Sequence, residues 1–179
     1  MEESRERIMH RRTMVGALRV LLVVGMIVAG LGRTKSAIAA NGNPSASGQG
    51  SLTVDDERRT FSFSAVQHKD GPATGEAQVV NRSTGLVAHI EIVCLNIMGN
   101  RAFVGGFVTQ SNLPSFTVPG DTAVFAGEDN GEGAKAPPDR ITLTGFGIFA
   151  QPDCFNPDIV GILNSILTPI QAGNIQVNP

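Results

Sequence analysis

Over residues 60–67 apolar and polar positions alternate, with Phe61, Phe63 and Ala65 on one side and Ser62, Ser64 and Val66 on the other. A period of two is the mark of a strand with one face in a core. Residues 69–72 (Lys, Asp, Gly, Pro) read as a turn, 75–80 as a second strand, and 81–85 as the turn that ends it. The longest run, 87–98, is rich in β-branched side chains. Ala88, Ile90, Ile92, Cys94, Asn96 and Met98 share its more apolar face, which is expected to point inward along the whole strand. Gly99 and Asn100 predict a two-residue hairpin turn into a strand over 101–109, where Gly105 and Gly106 suggest a bulge or a close backbone approach. Further strands are predicted at 122–126, 140–146 and 173–177.

One segment follows a different period. Ile159, Ile162, Leu163, Ile166 and Ile170 recur at steps of three and four, which predicts a short amphipathic helix over 158–167. Gly161 and Pro169 weaken it. Many short strands with few helical stretches define an all-β fold: an antiparallel β-sandwich or barrel with one short C-terminal helical segment.

The N-terminal forty residues do not share the pattern. Arg5, Arg7, Arg11 and Arg12 precede an apolar run from Val20 to Leu31, and Ala37 and Ala39 form a small-x-small cleavage signature. That sequence reads as an export signal over 1–40, cut near Ala39 or Ala40. The run is too short for a membrane-spanning helix of ~20 apolar residues, so the mature chain is expected to have no transmembrane span. Arg11 and Arg12 ahead of Thr13, Met14 and Val15 also fit a twin-arginine signal, so the route is the general secretory or the twin-arginine one. Residues 41–50, all Asn, Gly, Pro, Ser, Ala and Gln, offer almost nothing to bury and are expected to be a flexible tether. A single β domain over 51–179 follows.

Charge changes meaning once the leader is set apart. The whole chain is close to neutral, at −2, but the first forty residues hold seven of the fourteen basic side chains and three of the sixteen acidic ones. Seven basic against thirteen acidic groups remain, a net charge of −6 that disfavours nucleic acid and anionic lipid. Two cysteines in an exported chain predict one disulfide between Cys94 and Cys154, closing a loop worth about 4 kcal/mol of unfolded-state entropy. Asp129, Glu132 and Asp139, with Asp121 nearby, could offer oxygens to calcium, although the spacing does not fit an EF-hand and suits a solvated turn.

Catalytic patterns are absent from the sequence: neither a G-x-S-x-G elbow nor a zinc-ligand spacing occurs. Glu76 and Glu91 are strand carboxylates that could face a groove, with outward surface charge the simpler reading, and His89 reads as a polar-face residue. A chain with nine Phe and no Trp or Tyr lacks the residues on which sugar rings usually stack.

Val93 to Leu95, Gly99 to Gly106 (GNRAFVGG), Glu128 to Gly133 (EDNGEG) and Pro138 to Leu143 (PDRITL) carry a resemblance, together with Cys154 and the terminal 173–177 segment. With these, the chain resembles small exported bacterial domains of unknown function labelled post-COAP-1. The resemblance implies export and an all-β domain, and supplies no catalytic residues. The expected role is thus a disulfide-closed domain with a structural or binding function outside the cytoplasm, towards an unknown extracellular protein or surface partner. An extracellular hydrolase with a carboxylate site and a calcium-dependent adhesion module are the alternatives.

Overall fold

The computed structural model describes residues 42–133 and 135–179; the export-signal region 1–40 lies outside them. Six long strands follow one another in sequence and in space: β1 (Ser45–Val54), β2 (Glu57–Gln67), β3 (Ala73–Asn81), β4 (Leu86–Met98), β5 (Arg101–Ser111) and β6 (Thr122–Glu128). Short strands β7 (Arg140–Ile141) and β8 (Gly145–Phe146) both pair with β6. Helix α1 (Pro157–Ser165) precedes β9 (Thr168–Pro169) and β10 (Ala172–Asn178). All pairings are antiparallel, in the order β10-β1-β2-β3-β4-β5-β6-β7-β9.

The sheet is not closed, yet it folds over on itself. Phe63 on β2 meets Phe125 on β6 edge to face at 5.2 Å, although three strands separate them in the ladder. The inner face gathers Ala46, Phe61, Phe63, Ile90, Ile92, Leu95, Val104, Phe125, Ile141 and Ile175 into the main core. One chain segment supplies both sheet edges, since β9 pairs with β7, β10 pairs with β1, and only Ile170 and Gln171 lie between them.

The predicted tether is corrected by the structure: from Ser45 onward it is strand β1, paired on both sides. Its inward positions are Ala46, Gly48 and Gly50, too small to register as a hydrophobic pattern. Phe63 stands opposite Gly48 and Phe61 opposite Gly50, and the rings occupy the space over the glycines. A Cβ on Gly48 would lie 2.8 Å from the Phe63 ring and 2.9 Å from the Ile175 side chain. The apolar volume of β1 is therefore carried by its neighbour, which the composition of β1 alone does not reveal.

The second correction concerns β4. Ala88, Ile90 and Ile92 face the main core as expected, but Cys94 does not. In the ladder Ile92 pairs with Gly106 and Cys94 with Gly105, which leaves Val93 as an extra residue on β4. Beyond that bulge the alternation shifts by one, so Leu95 and Ile97 join the main core while Cys94 and Asn96 turn to the outer face. A second shift leaves Thr109 unpaired on β5. Residues 140–146 are likewise two short pairings rather than one strand.

The outer face at β5 and β6 is covered. Phe103, Val124 and Ala126 pack there against Ile159, Leu163 and Leu167 in a second core that includes Cys154. Helix α1 starts where Asn156 accepts from the Asp158 amide, with Pro157 at its first position. The Cys94–Cys154 disulfide, with Cα atoms 5.9 Å apart, ties the preceding loop to β4. Pro152 passes so close over β5 that a Cβ on Gly105 would lie 2.1 Å from its carbonyl oxygen. Gly105 is thus the close approach that the paired glycines suggested, and the bulge beside them lies on β4, at Val93.

Candidate functional site

Where the helix and loop end, the outer face lies open. Strands β10, β1, β2, β3, β4 and the second half of β5 border a hollow of about 980 Å³. Register fixes its floor. One row of directly opposed positions runs Asn174, Gln49, Ser62, Gln78, His89, Gln110; the next runs Gln176, Ser47, Ser64, Glu76, Glu91, Phe107. At ~4.8 Å between strands the six columns extend roughly 24 Å. The same alternation that buries Phe61, Phe63, Ala77 and Ile90 forces these polar neighbours outward.

Amides dominate the trough. Gln78 Nε2 and His89 Nε2 lie 3.3 Å apart and link two columns of the first row. Amide side chains both donate and accept, so a row of them can match a ligand bearing hydroxyl groups. No Lys or Arg lines the hollow, and its charges are Glu76 and Glu91. These two carboxylates are cross-strand partners, and both are exposed. Like charges in that position repel and cost a little stability. The groove that the sequence left as an alternative for Glu76 and Glu91 is thus real, and His89 stands beside them on the polar face.

The candidate calcium residues sit elsewhere, at the seam beside β10. Asp139, buried, accepts from the Ile175 amide at 2.7 Å and from the Asn130 amide at 2.8 Å. Asp129 accepts from the Val177 amide at 3.1 Å and the Gly131 amide at 2.8 Å. Glu132 accepts from the Asn174 side chain at 3.0 Å. All three thus engage the last strand, and the two aspartates take amides on the edge of β10 that β1 does not pair. Asp121 is separate, capping its own turn through Thr117 and the Val118 amide. Among the described residues no cluster of three or more His, Cys, Asp or Glu has metal-binding geometry.

Glu128 is the centre of another buried contact. It stands between Arg101 on β5 and Arg140 on β7, at 2.7 and 3.4 Å, and both arginines reach on to the helix end, at Asn164 and the Leu167 carbonyl. That network docks α1.

A second cavity escaped sequence reading. At one end of the folded sheet an apolar cup of about 290 Å³ is lined by Leu52, Phe61, Val79, Leu86, Leu143 and Phe146. Glu57, Arg59 and Asn81 also line it, from the inward-facing positions of β2 and β3. Arg59 pairs with Glu57, and Asn81 donates to the same carboxylate at 2.8 Å. The hydrogen bonds from Arg59 and Asn81 hold the Glu57 carboxyl below its usual pKa. The available signal was the continuation of the Phe63 and Phe61 face into charged Arg59 and Glu57, an inward charge at a strand end.

No family model, curated protein or solved structure matches this chain. The described residues form a disulfide-bonded β domain, and no helix among them is long and apolar enough to cross a membrane.

Proposed function

We propose that this chain is an exported domain, related to the small bacterial domains it resembles, that binds a neutral, hydroxyl-rich polymer such as a polysaccharide outside the cytoplasm. The observation that carries the reading is a pair of rows on one hollowed face, one polar across six strands and the other polar across five before it ends at Phe107. An extended groove of amide and hydroxyl groups suits a linear chain of hydroxyls, which it would hold by many weak hydrogen bonds in place of ring stacking. The acidic balance of the trough disfavours polyanions. A disulfide and the leader over 1–40 support a destination outside the reducing cytoplasm.

Affinity electrophoresis through gels containing neutral soluble polysaccharides tests the proposal. At least one gel should retard the protein, and Gln49→Ala with Gln78→Ala should abolish the retardation. Retardation that survives both substitutions, or none in any neutral glycan, would sink it.

Hydrolysis is the second reading, because Glu76 and Glu91 place two carboxylates side by side in the same trough. Glycoside cleavage needs one carboxyl kept protonated by a desolvating environment. Both glutamates are exposed, so binding without cleavage is the stronger reading. New reducing ends that vanish in Glu76→Gln and Glu91→Gln would reverse that order.

A further inference from the structure

The trough has a long axis, and strand register defines it. Each of its six strands gives the lining two polar side chains, from Asn174 and Gln176 on β10 to Thr109 and Gln110 on β5. Across the strands the hollow spans roughly 24 Å, whereas along them its two rows are only ~7 Å apart. The next row, past Gln49 and Gln78, is Ala172, Ser51, Thr60, Val80 and Val87, apolar on three of its five strands. A linear ligand that uses both polar rows therefore lies across the strands.

The interval between columns selects among linear ligands. From Gln49 through Ser62 and Gln78 to His89 the ladders are unbroken, so polar groups recur at the strand spacing, ~4.8 Å. An extended peptide is out of step with that interval, since its same-side groups recur at every second residue, ~7 Å apart. Pyranose rings joined through equatorial bonds advance by close to one strand spacing per ring. They also form a flat ribbon with hydroxyls along both edges, one edge for each row. Sheet twist turns the rows gradually, and each glycosidic linkage can rotate to follow. Rings joined through axial bonds coil instead and carry their hydroxyls off a straight row. Gln78 and His89, 3.3 Å apart, already restrain each other across two columns, which reduces the side-chain freedom lost on binding. At the β10 end the Asn174 side chain donates to Glu132, which leaves the columns from Gln49 to Gln110 for a ligand.

Resting on the reading of the trough as a polysaccharide groove, we infer that its ligand is an extended, β-1,4-type pyranose chain laid across β1 to β5. It places about one sugar on each strand, about four to five in all. Amides of the first row donate to and accept from one edge of the ribbon, and Glu76 and Glu91 accept from hydroxyls on the other.

Oligosaccharides from monomer to hexamer test this on the intact chain, read by amide chemical shifts in nitrogen-correlated spectra. The probes are β-1,4 series of glucose, mannose and N-acetylglucosamine, and the α-1,4 series of glucose. At least one β-1,4 series should gain several-fold in affinity with each added sugar up to the tetramer or pentamer, then level off. Its hexamer should shift the Gln49, Ser62, Gln78, His89 and Gln110 amides together, and the α-1,4 hexamer should bind about tenfold more weakly. Shifts confined to two adjacent strands overturn the crossing orientation. No gain beyond the dimer overturns the repeat of one sugar per strand, and an α-1,4 series that binds equally overturns the extended shape. Each of those results leaves the trough a glycan site. An absence of shifts with every sugar overturns the inference; if no polysaccharide gel retards the chain either, the reading beneath it falls too. Equal shifts from an uncharged Ser-Gly peptide of matching length overturn both.

Discussion

The outer face of this sheet is two surfaces joined at a pair of bulges. On one side of Val93 and Thr109 the outward positions are Glu91, His89 and Gln110, and water covers them. On the other side they are Cys94, Phe103 and Val124, and a helix and a disulfide-tied loop cover them. A single inserted residue accounts for the change. Were Val93 paired as a regular ladder position and not bulged, Cys94 would keep step with Ile92 and point into the main core, out of reach of Cys154. Strand propensity is similar across the boundary; what differs is which face each side chain is given. The covered half is built for stability, and the open half is the one proposed to bind.

Substitutions can break that contrast. Removing the disulfide by Cys94→Ala with Cys154→Ala should cost the most, about 4 kcal/mol from the 60-residue separation and somewhat more from lost packing in the second core. Urea unfolding of the pair against the parent measures it, and an unchanged midpoint would show that α1 alone holds the loop. Phe103→Ala, fully buried under α1, should cost about 3–4 kcal/mol. The equivalent truncation in the open half, Ser62→Ala, should stay within ~0.5 kcal/mol. Similar costs at both positions would erase the distinction.

Intermediate effects belong to the seam. Asp139→Asn replaces a carboxylate that takes two amides by a group with one accepting oxygen, so about 2 kcal/mol should be lost. Amide hydrogen exchange should then accelerate at Ile175 first. The smallest effect should be of opposite sign. Glu91→Gln removes a like-charge neighbour of Glu76 and should stabilise by a few tenths of a kcal/mol, ~0.2–0.5 at low salt. A loss of stability there would show that the pair is held by something other than solvent.

The legible parts of the fold were those in which each strand carries its own apolar pattern. The alternations around Phe61 and Phe63, the Gly99–Asn100 turn, the β5 run and the Ile159–Leu163 helix all declare themselves within a few residues. The pairing of Cys94 with Cys154 followed from cysteine number and an export signal. What stayed hidden depended on partners. Strand β1 buries glycine and alanine because Phe61 and Phe63 of β2 fill the space, so its own residues look like a linker. The Val93 bulge is specified by the tight fit of Gly106 against β4, where a Cβ would lie 2.2 Å from the Glu91 carbonyl oxygen, and of Gly105 beneath Pro152. Glu76, Glu91 and His89 were visible as polar strand residues, but their alignment with Gln49, Ser62 and Gln110 needed the register of six strands. The cup needed the curl of the sheet, which brings Ile141 and Phe146 over Phe61.

The pairing of the first strand with the last also sets an order of events. Emerging N-terminus first from a ribosome or a translocation channel, the chain can zip β2 through β6 by short hairpins, since each partner is the next to appear. Ala46, Gly48 and Gly50 gain their second neighbour only when residues 172–178 arrive, more than a hundred positions later. The Ile175 and Val177 amides cannot reach Asp139 and Asp129 before then either. Completion of the domain is therefore deferred until residues 172–178 are available, and that late, long-range step should dominate its folding time. Until β10 arrives, β1 stays unpaired along one edge, and the ring of contacts that joins the two ends of the sheet is open.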